Sequence, residues 1–233
     1  MIKVVKALIL SAGFFWLISC AQTQSSTKPD ESASLRAENE RLMAENQKLN
    51  SQIDTLNEKI MSMSAEASKN AELKEANAAT YNELEKDLHD QISLNKAIVG
   101  QFEESINITF VSDIFFDEGS DVIKPEGKMA LDSIVKTLSE VKNRLIRVEG
   151  YTDDVPIAPS YRWKFPSNWE LSTARAGAVV RYLTDKGLDP GMFKTAGYSK
   201  YNPVASNDTP EGRAKNRRIV IELIPWDLRA KFQ

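Results

Sequence analysis

The stretch RLIRVEGYTDDVPIAPSYRWKFPSNWELSTAR, residues 144–175, predicts a strand, a polar loop and a helix in that order. The apolar residues at 145–148 alternate in the way that is typical of a strand. Ser167 and Glu170 have the spacing of a capping box. In this motif the side chain of each residue accepts a hydrogen bond from the backbone N–H of the other. We therefore expect a helix that begins at about Trp169.

Two opposite charges stand where these elements meet. Asp153 follows the strand, and Arg175 lies in the first turns of the helix. Fixed opposite charges beside a helix N-terminus suit a ligand that carries both an ammonium and a carboxylate. The alternative is that the two side chains pair with each other, which contributes only about 0–1 kcal/mol when exposed. A ligand could compete with that pair, because a charge-assisted hydrogen bond is worth about 1.5–3 kcal/mol.

Four short motifs follow one another along the second half of the chain. They are IFFD at 114–117, EGYTD at 149–153, NWELSTARA at 168–176 and NRR at 216–218. In this order they resemble the motifs of the OmpA-like peptidoglycan-binding domain family, over about residues 105–225. Two features depart from the simplest members of that family. Tyr151 stands where histidine is common, and the loop 154–167 is longer, similar to the loop of flagellar stator B subunits.

The resemblance implies a ligand and a set of binding residues. The ligand is the peptide stem of peptidoglycan, whose diaminopimelate has a free ammonium and a free carboxylate. Asp153 would accept from the ammonium, and Arg175 would hold the carboxylate with its planar fork. The remaining residues expected around the groove are Asn168, Thr152, Asp117 and, at its far side, Arg218 or its neighbour Arg217. A solvated charge cluster is the alternative for residues 216–218.

The aromatic residues of the longer loop leave two interpretations open. Tyr161, Trp163 and Phe165 either form a wall of the groove or pack the loop against the domain.

The pattern of apolar residues predicts an α+β fold, a two-layer β-α-β-α-β-β sandwich with two helices on one face of the sheet. Pro125 fits the first position of one helix, and Gly187 fits the end of the other. The expected strands are at 106–110, 145–150, 193–197 and 219–223. The domain is expected to span residues 103–225, with a tail at 226–233.

The N-terminus resembles a bacterial lipoprotein signal. Residues 1–19 contain two early lysines and an apolar run at 7–18 that is too short for a comfortable membrane span. The run ends in Leu-Ile-Ser before Cys20, which resembles a lipobox and implies cleavage and acylation there. With Ala21 next, we expect lipid anchoring in the outer membrane, facing the periplasm. The alternative is a short uncleaved anchor helix. Residues 20–33 are predicted to be a flexible tether.

Residues 34–102 are predicted to form a long α-helical coiled coil that precedes the domain. Its seam repeats every seven residues at Leu35, Leu42, Leu49, Leu56 and Met63 and, after a weak middle, continues at Tyr81, Leu84, Leu88, Ile98 and Phe102. Asn39 and Asn46 at the partner position favour a parallel two-stranded pair, and hence a parallel homodimer. The alternative is an amphipathic helix that stays unpaired.

Composition and residue counts argue against several classes of function. A net charge of −3 predicts no nucleic-acid partner. A single histidine, His89, and a single cysteine leave no set of residues for a zinc site or a histidine-based triad, so we expect no metal and no cofactor. Asp153 and Asp154 would point to opposite sides of an extended strand end, which does not suit a glycosidase. The chain is predicted not to be an enzyme.

These observations favour a lipid-anchored, non-catalytic protein that binds peptidoglycan and tethers the outer membrane to the cell wall. One alternative is a component of a flagellar-stator-like motor. Such a protein needs an ionisable carboxylate in its membrane helix, and residues 4–18 contain none. The other alternative is an envelope assembly scaffold that acts through the coiled coil.

Overall fold

The computed structural model describes residues 29–102 and 104–226. The elements are α1 (Pro29–Asp87), α2 (His89–Ser93), β1 (Ala97–Phe102), β2 (Ser105–Val111), α3 (Pro125–Glu140), β3 (Arg144–Tyr151), α4 (Asn168–Asp185), β4 (Phe193–Gly197), α5 (Pro210–Asn216) and β5 (Arg218–Pro225). The predictions for the signal peptide at 1–19, for Cys20, for the tether up to residue 28 and for the tail from residue 227 lie outside the described residues.

The chain divides into two units, Met1–Met63 and Ser64–Gln233, and α1 runs through both. Helix α1 begins at Pro29 and not after residue 33, so the predicted tether is wrong over its last five residues; proline is favoured at a first helical position. In the first unit the heptad leucines are exposed, for example Leu42 at 45% and Leu56 at 58%. Pairing through this stripe stays a prediction. Within the described residues, no helix is long and apolar enough to cross a membrane.

The prediction of a coiled coil up to residue 102 is wrong in its last part. Helix α1 ends at Asp87, and residues 97–102 form a strand that pairs antiparallel with β2. Asn95 has a left-handed φ of 55°, a conformation that ends helices. Leu84 and Leu88 are fully buried in the core of the second unit, so they pack against the domain and not along a coiled-coil seam.

The second unit contains a mixed five-stranded sheet with the order β1-β2-β5-β3-β4. Strands β3 and β4 are parallel, and the other neighbours are antiparallel. The α+β class and the four expected strands are confirmed, and so are the helix beginning at Pro125 and the C-terminal glycine, Gly187, with a φ of 100°. The prediction missed β1 and the short helix α5.

One face of the sheet packs against helices and forms the main core. Its strand residues alternate, so that Ile106, Ile108 and Phe110 of β2 all point inwards. Helix α4 lies very close to β3 at Gly150, where an added Cβ would collide with the backbone oxygen of Ser172. This close approach puts the N-terminal turns of α4 beside the end of β3, where the charged motifs lie.

Candidate functional site

A cavity of about 520 Å³ opens where the loop after β2, the end of β3, the first turns of α4 and the start of β5 meet. Five of the predicted site residues line it: Asp117, Thr152, Asp153, Asn168 and Arg175. These residues come from three segments that span almost sixty positions, so the fold brings together what the motifs suggested. The sixth predicted residue, Arg218, does not line the cavity.

Asp153 supplies the negative side of the cavity. The residue is 7% exposed, and its Oδ2 accepts a hydrogen bond from Nη1 of Arg217 at 2.9 Å. Its Oδ1 accepts from the backbone N–H of Val155 at 3.2 Å. The carboxylate is therefore held in one orientation by its own loop and by one cation from the residue that precedes β5.

Arg175 supplies a buried positive fork. Its Nε donates to the backbone oxygen of Ser120 at 2.9 Å, and its Nη2 donates to that of Asp117, also at 2.9 Å. The guanidinium lies 5.1 Å from the centre of the Phe116 ring. Burial lowers the pKa of Arg175 to about 10, so the side chain remains charged at neutral pH. Its Nη1 also donates to the hydroxyl oxygen of Ser112 at 3.5 Å. A guanidinium has five N–H groups, and these three contacts leave one on each terminal nitrogen for a ligand.

The two predicted poles do not pair with each other within residues 104–226. Asp153 pairs with Arg217, and Arg217 also binds Asp113, with its Nε at 3.1 Å from Oδ1 and its Nη2 at 2.8 Å from Oδ2. Hydrogen bonds from Arg217 to these two carboxylates raise the pKa of its guanidinium. Sequence reasoning missed Asp113, because nothing in the motifs links a single loop aspartate to an arginine more than a hundred residues later.

Arg218 lies apart from the other predicted site residues. Its guanidinium lies 3.6 Å from the centre of the Tyr151 ring, and its Nη2 donates to the backbone oxygen of Asn202 at 3.1 Å. Arg217 directly precedes β5 and is already extended, and successive extended residues point to opposite sides, so only one of the two arginines could reach the cavity. That arginine is Arg217, the neighbour that the sequence analysis left open.

Tyr151, which stands where the family often has histidine, lies on the opposite side of the sheet from the main core. Its hydroxyl donates to Oε2 of Glu149 at 2.6 Å, and its ring stacks on Tyr198 with 5.0 Å between ring centres. Burial and the neighbouring Glu149 raise the pKa of Tyr151. The aromatic ring therefore belongs to a stack with Arg218 and Tyr198, outside the cavity.

Asn168 and Thr152 hold the loop that carries Asp153. The amide of Asn168 donates to the backbone oxygen of Val155 at 3.0 Å, and the hydroxyl of Thr152 donates to that of Asp153 at 2.8 Å. The predicted capping box at Ser167 and Glu170 is present and fixes the start of α4. Asp117 acts through its backbone oxygen, since its side chain is largely exposed and lies 3.5 Å from Lys124.

The longer loop at 154–167 forms a wall of the cavity. Tyr161 lines the cavity and covers Gly119, where an added Cβ would collide with the tyrosine ring. Phe165 is buried in a small cluster with Ile157 and Leu171. Trp163 does neither and is 83% exposed. Of the two interpretations of this loop, a groove wall therefore applies to Tyr161, and packing of the loop against the domain applies to Phe165.

A metal site would need several ligand side chains close together in the part of the chain that the structure describes. Within it, no group of three or more histidine, cysteine, aspartate or glutamate side chains is arranged to hold a metal ion. Two carboxylates of the cavity, those of Asp113 and Asp153, bind Arg217 instead, and that of Asp117 lies beside Lys124. The arrangement suits the binding of a small zwitterion, because an anion and a buried cation face one volume.

The fold and the cavity define a small α+β domain that offers one negative and one positive group to a ligand. The chain belongs to the OmpA family, whose model matches residues 115–217. The family assignment and the fold class predicted from the motifs are thus confirmed. Members of this family are structural proteins, which confirms the prediction that the chain is not an enzyme.

Several curated proteins are similar to this chain. Peptidoglycan-associated lipoprotein of Pseudomonas putida is 32% identical over 53% of this chain and 69% of its own length. Outer membrane protein A of Bordetella avium is 39% identical over 50% of this chain and 57% of its own length. Motility protein B of Bacillus subtilis is 36% identical over 62% of this chain and 54% of its own length. The chain thus spans little more than half the length of the last two relatives.

Solved structures give the same assignment. The cell wall anchor of the type VI secretion system (T6SS) from Pseudomonas aeruginosa has a TM-score of 0.56 and 34% identity, over 61% of this chain and 96% of that one. A MotB-like protein from Desulfovibrio vulgaris has a TM-score of 0.61 and 27% identity, over 66% of this chain and 94% of that one.

Proposed function

We propose that this chain is a lipid-anchored envelope protein that binds peptidoglycan non-covalently through the diaminopimelate of the stem peptide. The observation that carries the proposal is that Asp153 and Arg175 line one cavity without pairing with each other. The similarity to a peptidoglycan-associated lipoprotein and to a cell wall anchor supports it.

Binding would exchange one cation for another at Asp153. The ammonium of the ligand takes the position of Arg217 Nη1 on the Asp153 carboxylate. The guanidinium of Arg217 turns away from Asp153 but remains beside the cavity, because Asp113 continues to hold it. The carboxylate of the ligand then accepts from the remaining N–H groups of Arg175 and from the freed Nη1 of Arg217, each charge-assisted bond being worth about 1.5–3 kcal/mol.

The same proposal assigns roles to the N-terminus and to the heptad stripe. Acyl chains on Cys20 hold the protein in the outer membrane on its periplasmic side, since each buried methylene contributes about 0.8 kcal/mol. The heptad stripe joins two chains in a parallel homodimer. Two domains then meet a polymer with repeated stems, and this bivalency raises the apparent affinity by about 10²–10⁴. The result is a tether between membrane and wall.

The test is sedimentation of purified sacculi with the full chain in mild detergent. We expect Asp153→Asn and Arg175→Lys to lose at least tenfold in affinity, because each keeps the size of the side chain while removing the charge or the planar fork. The matched controls are Asp185→Asn and Arg181→Lys, which lie on the exposed side of α4 and line neither cavity. Retention of wild-type binding by both site variants would refute the site assignment.

A second candidate is a stator-like motor protein, which the similarity to motility protein B favours. The two functions differ at the N-terminus of the mature chain. Mass spectrometry of the membrane-extracted protein should find an acylated Cys20 if the chain is a lipoprotein. An intact N-terminus at Met1, in an inner-membrane fraction, would favour the motor protein. Crosslinking through the coil without any sacculus binding would favour an assembly scaffold.

A further inference from the structure

A second cavity of about 330 Å³ lies beside the first and carries an aromatic pair that the proposed stem-peptide site does not use. Trp169 of α4 and Tyr201, which follows β4, stack with 5.3 Å between ring centres and an angle of 25° between the rings. Both line this cavity, and they remain 47% and 62% exposed. Large aromatic side chains with this much exposure are not needed for the core of the domain.

The aromatic pair is held in place from both sides. Trp169 is in the first turn of α4, which the Ser167 capping box fixes. The segment that carries Tyr201 is tied to β3 and to α4: the backbone oxygen of Ser199 accepts from Thr152 at 2.9 Å, and the backbone N–H of Ser199 donates to the hydroxyl of Ser172 at 3.1 Å. The pair is therefore a preformed surface, which lowers the entropic cost of binding a ligand.

The two cavities share part of their lining. Pro156, Ile157 and Asn168 border both of them. Asn168 holds the intervening loop by donating to the backbone oxygen of Val155 at 3.0 Å. A ligand whose charged end sits between Asp153 and Arg175 can therefore extend across this loop to the aromatic pair.

The chemistry of the second cavity differs from that of the first. Its exposed charged side chains are those of Asp154, Arg162 and Lys200, and Arg162 donates to the backbone oxygen of Ile157 at 3.0 Å. An aromatic face with donors beside it suits a pyranose ring, whose axial C–H groups carry partial positive charge towards the ring face and whose hydroxyl and acetamido oxygens accept hydrogen bonds.

We infer that Trp169 and Tyr201 form a saccharide subsite that stacks against an N-acetylated sugar of the glycan strand to which the bound stem peptide is attached. The inference rests on the proposed function, since the stem peptide in the first cavity brings its own sugar to the second. It adds a contact to the glycan and makes the protein selective for sugar-linked stems over free peptides.

The test compares three probes with the full chain in detergent by titration calorimetry: a disaccharide-tripeptide that contains diaminopimelate, the same tripeptide without sugar, and the free disaccharide. We expect the sugar-linked peptide to bind about tenfold more tightly than the bare peptide. Trp169→Ala and Tyr201→Ala should remove this difference and leave the affinity for the bare peptide within about twofold. Tyr201→Phe should keep the difference, because the stacking face remains.

The control variant is Trp163→Ala, which removes a more exposed tryptophan of the same loop region that lines neither cavity. It should behave as wild type towards all three probes. Equal affinity of the wild type for the sugar-linked and bare peptides would overturn the saccharide subsite and leave the stem-peptide site intact. An equal loss of both peptides in the aromatic variants would also overturn it, because the pair would then serve the peptide.

The free disaccharide tests the saccharide subsite independently of the proposed stem-peptide site. Weak disaccharide binding that Tyr201→Ala removes and Asp153→Asn does not would support the saccharide subsite by itself. If that result came together with no binding of the bare peptide, the proposed stem-peptide function would fail while the subsite stood. Absence of binding for all three probes would overturn both.

Discussion

Arg217 connects two carboxylates of the cavity, and its neighbour Arg218 lies on the other side of the strand. The bonds to Asp113 and Asp153 fix Arg217 at the mouth of the candidate site. Arg218 instead covers the ring of Tyr151. Two arginines that are adjacent in sequence therefore have separable effects, one on ligand affinity and the other on stability.

We predict that Arg217→Ala weakens binding of a diaminopimelate-containing tripeptide about tenfold, because it removes the second cation next to the ligand carboxylate. Arg218→Ala should leave this affinity within about twofold and lower the free energy of unfolding by about 1–3 kcal/mol, since it removes a buried cation–π contact and two backbone hydrogen bonds. Titration calorimetry and urea unfolding measure the two effects. A loss of affinity in Arg218→Ala together with wild-type affinity in Arg217→Ala would refute these separate roles.

Glu170 gives the capping box a dependence on pH. The hydroxyl of Ser167 and backbone N–H groups donate to its carboxylate and lower the pKa of Glu170 below its usual value of 4.5. A carboxyl group with a lowered pKa in the folded state stabilises the protein above its unfolded pKa, and this contribution is lost as the pH falls through the folded pKa.

We predict that Glu170→Gln is less stable than wild type at pH 7 and that the gap narrows as the pH falls below about 4.5, measured by urea unfolding at several pH values. Ser167→Ala should cost about 1 kcal/mol at pH 7, because the backbone of the first turn loses its acceptor. It should also reduce the pH dependence. A gap between wild type and Glu170→Gln that stays constant down to pH 3 would contradict this account.

The sequence predicted the two poles of the site but not the partner of either. Asp153 and Arg175 lie in local motifs of a strand end and a helix start, which short-range signals identify. The Asp153–Arg217 pair joins residues 64 positions apart and depends on which way the first residues of β5 point. One residue of register decides that direction, and no local pattern fixes it.

The contact between helix α4 and strand β3 also depends on packing between residues that are distant in sequence. Gly150 has no side chain, and the backbone of Ser172 fills the space that a Cβ would need. The helix can then lie close enough to the strand for Asp153 and Arg175 to face one cavity. The glycine of the motif is thus explained by packing between two elements.

We predict that Gly150→Ala lowers the free energy of unfolding by about 1–3 kcal/mol, because α4 must move away from β3 to make room. The matched control is Gly100→Ala in β1, where an added Cβ meets nothing within 4 Å. This control should change stability by less than about 1 kcal/mol. Urea unfolding of both variants tests the prediction, and equal effects of the two changes would refute it.

The heptad frame misled the assignment of β1 for a physical reason. Ile98 and Phe102 fit a seven-residue repeat, but Ile98 and Gly100 also alternate with Ala97 and Val99, which are buried as a strand requires. Sequence alone could not decide between these periods over six residues. The hairpin with β2 decided it, because all six residues of β1 are in register with residues of β2, which pairs the backbone groups on that side of the strand.

At the scale of the molecule, the first unit offers a stripe of apolar side chains that stay exposed in a single chain. Leu49 and Ile53 are 48% and 52% exposed. Burying such a stripe against a second copy would gain about 25 cal/mol per Å² of apolar surface removed from water. The asparagines at the partner positions would then fix the register of the pair.

We predict that the chain from residue 29 onwards is a dimer and that Leu49→Lys with Leu56→Lys makes it a monomer, since charged groups in the seam would be buried without partners. Sedimentation equilibrium measures the mass. The control is Ala44→Lys, which is exposed on the outer side of the heptad repeat and should leave the dimer intact. A monomeric wild type, or a dimer that survives both lysines, would contradict the prediction.

The end of α1 inside the second unit has a mechanical consequence. Leu84 and Leu88 are fully buried, and Asp87 accepts a hydrogen bond from the hydroxyl of Thr137 on α3 at 2.6 Å. Tension on the helix would therefore load the packed interior directly, and peeling the last turns of α1 from α3 would expose those leucines to water. In the proposed tether, an envelope under tension would load this joint as well as the peptidoglycan-binding site.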